Sequence, residues 1–296
     1  MMHFTADRWS GVLGMNARNL YVERENTLEA IRLVNNKHLT KTALQKANVP
    51  VAPTLALVRD RRELASIEWQ ALPDSWVVKP NRGRQGAGVL LVAGRDSSGW
   101  CSASGRHLDQ IEVEQQIREI LEGEVSSGIA DRDDAIMEPL IVPHEALKEV
   151  VPVGLPDIRI ISYHDMPVMA MLRLPTRASG GRANLHQGGI GAGVDLATGK
   201  VFRAMMSGQP VTHHPDTDAP LIGLQVPDWD RVVDAASRSG SATGLVYAGA
   251  DIVVDQDRGT VVLQVNARPG LEIQNVNGMG LADRLERVAA ASSTPA

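Results

Sequence analysis

A single cysteine, Cys101, occurs in 296 residues, which excludes an intrachain disulfide framework and any multi-cysteine metal site. It stands in a Gly/Ser-rich stretch without a neighbouring base and reads as a passive thiol. No apolar run approaches the ~20 residues needed to cross a bilayer. The opening Met-Met-His-Phe-Thr-Ala-Asp-Arg lacks a basic head leading into an apolar signal core. No membrane partner and a cytoplasmic location are therefore expected. Excess positive charge is missing too: 30 Lys and Arg face 35 Asp and Glu, a net charge of -5, so nothing global attracts nucleic acid and no such partner is expected. Nor is there a convincing Ser-His-Asp or Cys-His arrangement, and His213-His214, in a Pro-rich loop, is a poor candidate metal pair. What the chain does have is a globular balance, 43% hydrophobic and 22% charged, with length enough for a large core in one or two lobes.

Residues 1 to about 26 carry no assignable pattern. Asn26-Thr27 can cap a helix through Leu28, Ile31 and Val34, and a second helix fits Leu39 to Ala47, stopped by Asn48-Val49-Pro50. Leu55 to Val58 reads as a strand and Arg61 to Trp69 as a helix. Trp76 to Pro80 reads as a strand whose hairpin partner, Val89 to Val92, follows a glycine-rich loop. Residues 94–106 are small and polar, a surface loop. An amphipathic helix follows from Leu108 to Leu121, then an apolar strand, Ala135 to Ile141, interrupted at Glu138-Pro139. Asp157 to Ser162 and Val168 to Leu174 form a hairpin around His164-Asp165. Residues 176–199 show no regular pattern. Asp228 to Ala236 and Leu281 to Ala291 are helical, and the tail 292–296 is expected to be disordered. Helices mixed with hairpins, without a repeat, argue for an α+β fold.

The densest chemistry lies at Leu263-Gln-Val-Asn-Ala-Arg-Pro-Gly270. A turn at Asp255 to Gly259 joins two apolar strands. Gln264 and Asn266, two apart, leave by one face, where Asp251 on the partner strand can join them. One carboxylate and two amide oxygens suit a hard cation such as Mg²⁺ that also holds nucleotide phosphates. Lys79 ends a strand ahead of Asn81-Arg82-Gly83-Arg84-Gln85-Gly86-Ala87-Gly88. These glycines let backbone amides approach phosphate oxygens, with Lys79 and the arginines supplying charge. A glycine hairpin with a solvated arginine explains the same residues. Glu138-Pro139-Leu140-Ile141 has the character of a hinge that could hydrogen-bond a flat heterocycle, with Glu145 as a candidate ribose partner, although a glutamate ending a strand is commonly just solvated. Asp157 and Arg159 share a strand face, with Arg173 on the next strand; a cross-strand salt bridge is the plain alternative. Arg182-Ala-Asn184-Leu-His-Gln-Gly-Gly189 combines a cation, an amide and paired glycines, as an anion-binding loop would; His186 reads as a loop residue rather than a base.

In their order along the chain these motifs, together with Leu13-Gly-Met-Asn-Ala-Arg-Asn19 and Lys37 to Lys41, resemble those of the ATP-grasp superfamily, and within it the RimK-type alpha-L-glutamate ligases and their ligase-related cousins. The resemblance implies two α+β lobes clasping a nucleotide. It divides the chain into a short opening segment 1–36, lobes at 37–138 and 139–291, and the tail. It implies that Lys41 and Lys79 (and, with a weaker match, Lys37) bind phosphate, helped by Gly86 and Gly88, and that Glu138, Pro139, Leu140 and Ile141 hold adenine. It makes Asp251, Gln264 and Asn266 the ligands of Mg²⁺, or of Mn²⁺ in its place. Arg173, Arg182 and Asn184 then lie near the γ-phosphate and acceptor, Asp157 and Arg159 on the substrate side, and Arg268 is left to hold a substrate carboxylate.

The implied reaction is ATP-dependent ligation of a carboxylate to an amine through an acyl phosphate, with an amino acid, glutamate among the candidates, and a carboxylate acceptor as partners. A non-catalytic nucleotide-binding module and a small-molecule kinase are the alternatives. Two departures stand out. Gln264 occupies a position where the family usually has glutamate, removing one negative charge. Only about 36 residues precede Lys37, so the N-terminal domain that usually goes before is expected to be truncated, and part of the acceptor-side wall absent or supplied by a partner.

Overall fold

The computed structural model describes residues 11–83, 86–96, 99–125 and 132–292. Arg84 and Gln85 of the glycine-rich loop, part of the 94–106 stretch and the last four residues of the tail lie outside the described residues. In chain order the helices and strands are α1 (Met15–Glu25), α2 (Leu28–Val34), α3 (Lys37–Lys46), β1 (Ala56–Val58), α4 (Arg61–Ala65), β2 (Trp76–Pro80), β3 (Leu90–Arg95), β4 (Trp100–Ser102), β5 (His107–Leu108), α5 (Gln110–Glu122) and β6 (Ala135–Pro139). There follow α6 (Glu145–Lys148), β7 (Asp157–Tyr163), β8 (Met166–Leu174), β9 (Ile190–Val194), β10 (Val201–Met206), β11 (Gln209–Pro210), α7 (Trp229–Thr243), β12 (Tyr247–Asp255), β13 (Gly259–Asn266), α8 (Glu272–Asn277) and α9 (Ala282–Ser292). They fall into two compact units. The smaller comprises Asn35–Leu39 and Ala52–Ile141, the larger Met1–Val34, Thr40–Val51 and Val142–Ala296.

The smaller unit is built on an antiparallel sheet of order β1-β6-β2-β3-β4-β5. Helix α5 starts at a capping box formed by Asp109 and Glu112, which satisfies two otherwise orphaned amides. Its buried residues Val113, Ile117, Ile120 and Leu121 share one core with Trp76 and Val78 of β2. The 94–106 stretch, expected as a surface loop, instead contains β4. Trp100, 5% exposed, meets the edge of Trp76 with ring centroids 5.6 Å apart, and burying one indole is reason enough to draw small polar neighbours into a strand. Strand β6 takes in Glu138-Pro139, where an interruption was expected, and ends there, short of the expected Ile141. Pro139 pairs with Trp76 of β2, whereas the β1 pairing stops at Met137, so the missing proline N–H faces what is locally an edge.

The larger unit carries the antiparallel sheet β11-β10-β9-β8-β7-β12-β13. Every residue of β12, paired between β7 and the edge strand β13, is buried, as a strand covered on both faces requires. The hairpin β7–β8 turns at His164 and Asp165, both with positive φ (47° and 59°), the backbone of a two-residue turn matched to strand twist. Residues 176–199, which show no periodicity, contain β9. A Cβ on Gly191 would stand 2.5 Å from Val276 Cγ2 of α8, so this glycine-rich strand trades side chains for the close approach of a helix. Helix α7 outruns its expected end at Ala236 by seven residues. Its Ser/Gly-rich second half hides the pattern, but Ser239 and Thr243 hydroxyls donate back to the Ala235 and Ser239 carbonyls at 2.6 and 2.7 Å instead of competing for a turn.

Helix α1, unassigned in the sequence because Val22 is its one buried residue, is anchored at its C-terminal end by Asn26. The buried Asn26 side chain accepts from the Val246 and Tyr247 amides at 2.8 and 3.1 Å and donates to the Tyr247 carbonyl at 2.8 Å. Replacing it leaves buried backbone groups unpaired, at ~1–3 kcal/mol each. Asn26→Ala is therefore expected to lower unfolding free energy by at least about 2 kcal/mol in urea titrations; a loss under about 0.5 kcal/mol would contradict this anchor.

Candidate functional site

Four neighbouring strands of the larger unit present a row of polar side chains. Asp157 of β7 stands opposite Arg173 of β8. Asp251 of β12 stands opposite Arg159 of β7 on one side and Gln264 of β13 on the other. A β-bulge falls between Asp251 and Ile252, leaving Leu263 as the extra residue beside Gln264; bulges of this kind re-aim adjacent side chains. Arg159 Nε donates to Asp251 Oδ1 and its Nη2 to Oδ2, each at 2.7 Å. Arg173 forks onto Asp157 through Nε and Nη2, and the same Nη2 lies 3.0 Å from Asp251 Oδ2. Asn266 Nδ2 reaches Asp251 Oδ2 at 3.4 Å, and Gln264 Nε2 donates to Asn266 Oδ1 at 2.9 Å. The expected convergence of Asp251, Gln264 and Asn266 is thus present. The two arginines joined to it are held by carboxylates.

Electrostatically the two aspartates differ. Burial raises Asp157, with the Asp251 charge adding to the effect, and Arg173 only partly opposes it, leaving the carboxyl at about 6. Burial alone would raise Asp251 as well, but Arg159 and Arg173 overcome it and hold that carboxylate far below its ordinary range. Arg173 is pushed up by Asp251 and Asp157 against the burial that would lower it. It stays a cation.

The remaining candidates are placed as follows. Arg182 is exposed. Asn184 accepts from His186 N–H at 3.0 Å, capping the short turn Leu185–Gln187. Among the described residues, neither side chain hydrogen-bonds to the row. Arg268 is exposed just beyond β13, and the carbonyl of its neighbour Pro269 accepts from Arg18 Nη1 of α1 at 3.2 Å. That tie gives Arg18, quoted in the sequence without a role, a place beside the Asn266–Gly270 turn; no periodicity could have revealed it. Lys41 is buried on α3. Glu145 is exposed at the first position of α6, behind the capping residue His144. His214 is buried, its Nε2 2.9 Å from the Pro175 carbonyl oxygen.

In the smaller unit Lys79 Nζ lies 2.5 Å from Glu138 Oε2, a largely buried pair. Lys37 Nζ donates to the carbonyls of Pro80, Asn81 and Gly83 at 3.0, 3.2 and 2.6 Å. All three donors of that ammonium are engaged in pinning the start of the glycine-rich loop. Gly86 and Gly88 both have positive φ (76° and 71°); a Cβ on Gly88 would strike Pro80 and Val125, whereas at Gly86 it would meet nothing within 4 Å among the described residues. The Leu140 amide donates to the Ser75 carbonyl at 3.3 Å, which takes that N–H away from any ligand, while the Ile141 side chain is half-buried.

No group of three or more His, Cys, Asp or Glu side chains among the described residues is arranged to hold a metal ion. The set Asp251, Gln264 and Asn266 fits one hard divalent cation in donor type, one carboxylate and two amide carbonyls on adjoining strands. What it lacks is surplus negative charge.

This architecture is that of the ATP-grasp proteins. D-alanine–D-alanine ligase from Bacillus anthracis, solved with ATP, matches with a TM-score of 0.54 at 15% identity, over 90% of this chain and 68% of that one. Biotin carboxylase from Campylobacter jejuni, solved as a β-γ-ATP complex, matches with a TM-score of 0.57 at 14% identity, over 96% of this chain and 53% of that one. At such identities the likeness shows the fold alone. The family model described as sugar-transfer associated ATP-grasp matches residues 16–290, and the chain belongs to that family. A curated relative from Mannheimia succiniciproducens, named "Probable alpha-L-glutamate ligase", is 26% identical over 267 residues, 88% of this chain and 64% of that protein. The chain thus spans less than two thirds of that relative's length. No helix among the described residues is long and apolar enough to cross a membrane.

The raised Asp157 yields a pH test. A carboxyl raised on folding stabilises the protein below its unfolded value, 3.8, and that contribution is lost as pH climbs through the folded value. The stability of the native chain relative to Asp157→Asn should therefore fall between about pH 4 and about pH 6 and level off above. A difference that stays constant across that window in denaturant titrations would show Asp157 to be unperturbed.

Proposed function

We propose that this chain is an ATP-dependent carboxylate–amine ligase, joining an amino acid, with glutamate the first candidate, to a carboxylate-bearing small molecule or peptide. The observation that carries this reading is the single-face grouping of Asp251, Gln264 and Asn266 with Arg159 and Arg173 in a chain of ATP-grasp fold and family. The name of the Mannheimia relative supports the choice of glutamate.

In this reading a carboxylate oxygen of one substrate attacks the γ-phosphorus of ATP, and the bond to the β-phosphate oxygen breaks with its electron pair leaving on ADP. The amine of the second substrate then attacks the acyl carbon; phosphate departs, the nitrogen loses a proton, and an amide results. A cation at Asp251, Gln264 and Asn266 would neutralise phosphate charge during transfer. The chain's own part is positioning and electrostatics: Arg173 and Arg182 draw charge onto the phosphoryl oxygens, and Asn184 orients them. Lys41 and Lys79 hold phosphate, with Gly86 and Gly88 shaping the loop. Glu138 to Ile141, with Glu145, serve the nucleoside, and Asp157, Arg159 and Arg268 the substrate side. Because Lys79 is paired with Glu138, its ammonium is preset in one position instead of sampling rotamers.

Two features favour a second reading, a nucleotide-binding chain without turnover: Gln264 supplies no charge, and both oxygens of Asp251 are engaged by arginine. ADP release with Mg²⁺-ATP and a panel of amino acids decides between them. Amino-acid-dependent release supports the ligase. Release that needs a hydroxyl compound instead points to a kinase. Nucleotide binding without release under any pairing of panel amino acids and carboxylates favours the second reading. Lys79→Ala is expected to weaken nucleotide binding at least tenfold, about 1.4 kcal/mol, in equilibrium dialysis; unchanged affinity in a folded variant would remove Lys79 from the site.

A further inference from the structure

In Asp157, Arg159, Arg173 and Asp251 the formal charges of two arginines and two aspartates cancel. Gln264 and Asn266 add none, so the would-be cation site is neutral before any cation arrives. Both oxygens of Asp251 are already engaged: Oδ1 accepts from Arg159 Nε, and Oδ2 from Arg159 Nη2 at 2.7 Å, with Arg173 Nη2 at 3.0 Å. A bare divalent ion entering here would meet no net attraction and would stand against two guanidiniums already held on a buried carboxylate; displacing the forked one would leave it without a partner of opposite charge. A polyphosphate alters both conditions. It brings negative charge with the ion, and its oxygens offer guanidinium the same bidentate geometry as a carboxylate.

We propose that Arg159 and Arg173 stand in for a cation on Asp251, and that a divalent ion enters only together with a nucleotide polyphosphate, whose oxygens draw the guanidiniums off the carboxylate. This rests on the nucleotide-binding reading above but reaches further. It makes loading of the site conditional on nucleotide and identifies Arg159, otherwise a substrate-side candidate, as a positioning residue for Asp251. It also gives Gln264 a function. A glutamate there would leave the row with a net negative charge and open it to free cations.

The test uses Mn²⁺ as the probe and water-proton relaxation as the readout, because relaxation is enhanced when Mn²⁺ is fixed on a macromolecule. The full chain without nucleotide should show no enhancement at millimolar Mn²⁺, and clear enhancement once a non-hydrolysable ATP analogue is added. Arg159→Gln, which frees Asp251 Oδ1 and adds one net negative charge, should bind Mn²⁺ without nucleotide at a concentration at least tenfold lower than the native chain. Gln264→Glu should do the same and serves if Arg159→Gln fails to fold. Mn²⁺ binding by the native chain without nucleotide would overturn the proposal, as would folded variants that remain silent. These nucleotide-free arms are read independently of catalysis. A chain that binds no nucleotide in dialysis, yet whose Arg159→Gln variant captures Mn²⁺, would sink the ligase reading and leave the stand-in role intact.

Discussion

Burying Asp251 is the constraint around which the larger unit is organised. A carboxylate on an interior strand that is buried along its whole length is tolerable only with charge and hydrogen bonds supplied locally, and removing one partner of such a pair typically costs ~3–5 kcal/mol. Both neighbouring strands contribute to that supply. β7 provides Arg159, β13 provides Gln264 and Asn266, and β8 reaches past β7 with Arg173, which in turn needs Asp157. The order β8-β7-β12-β13 is therefore also the order of a continuous polar chain. Its members are fixed by strand register, so a slip by one residue would turn the whole set to the opposite face.

The smaller unit solves a similar problem with fewer parts. Glu138 is buried on β6 and Lys79 answers it from β2. Lys37 uses its charge differently, gathering three carbonyls at the mouth of the glycine-rich loop. In both units cations that the sequence marks as phosphate-binding already have partners in the chain. Such residues can exchange one oxygen partner for another without ever standing unpaired, which keeps the cost of desolvation low in either arrangement.

What could be read in advance follows from this. The hairpin β12–β13 and the convergence of Asp251, Gln264 and Asn266 were legible because period-two alternation and a turn sequence determine them locally. The order of motifs made the ATP-grasp fold legible as well. β4, β9 and the second half of α7 were not, since each is held by something outside its own pattern: an indole edge for Trp100, a helix closing over Gly191, and side chains bonding back into the helix at Ser239 and Thr243. At the site, the residue types were legible and their pairing only in part. The cross-strand salt bridge offered for Asp157 and Arg173 is present, but spacing does not say that Arg173 also reaches Asp251, that Lys37 is held by carbonyls, or that Arg18 reaches Pro269 across 251 positions of sequence.

On the proposal above, Asp251 exchanges its arginines for a cation when nucleotide arrives. The most direct measurement is a crystal structure of the chain with Mn²⁺ and a non-hydrolysable ATP analogue, with the metal located by its anomalous scattering. A manganese peak is expected at oxygen-coordination distance, about 2.1–2.3 Å, from Asp251 and at least one of Gln264 and Asn266, with the Arg159 or Arg173 guanidinium turned from the carboxylate onto phosphate oxygens. Bound nucleotide with both guanidiniums still on Asp251, and manganese elsewhere, would contradict it.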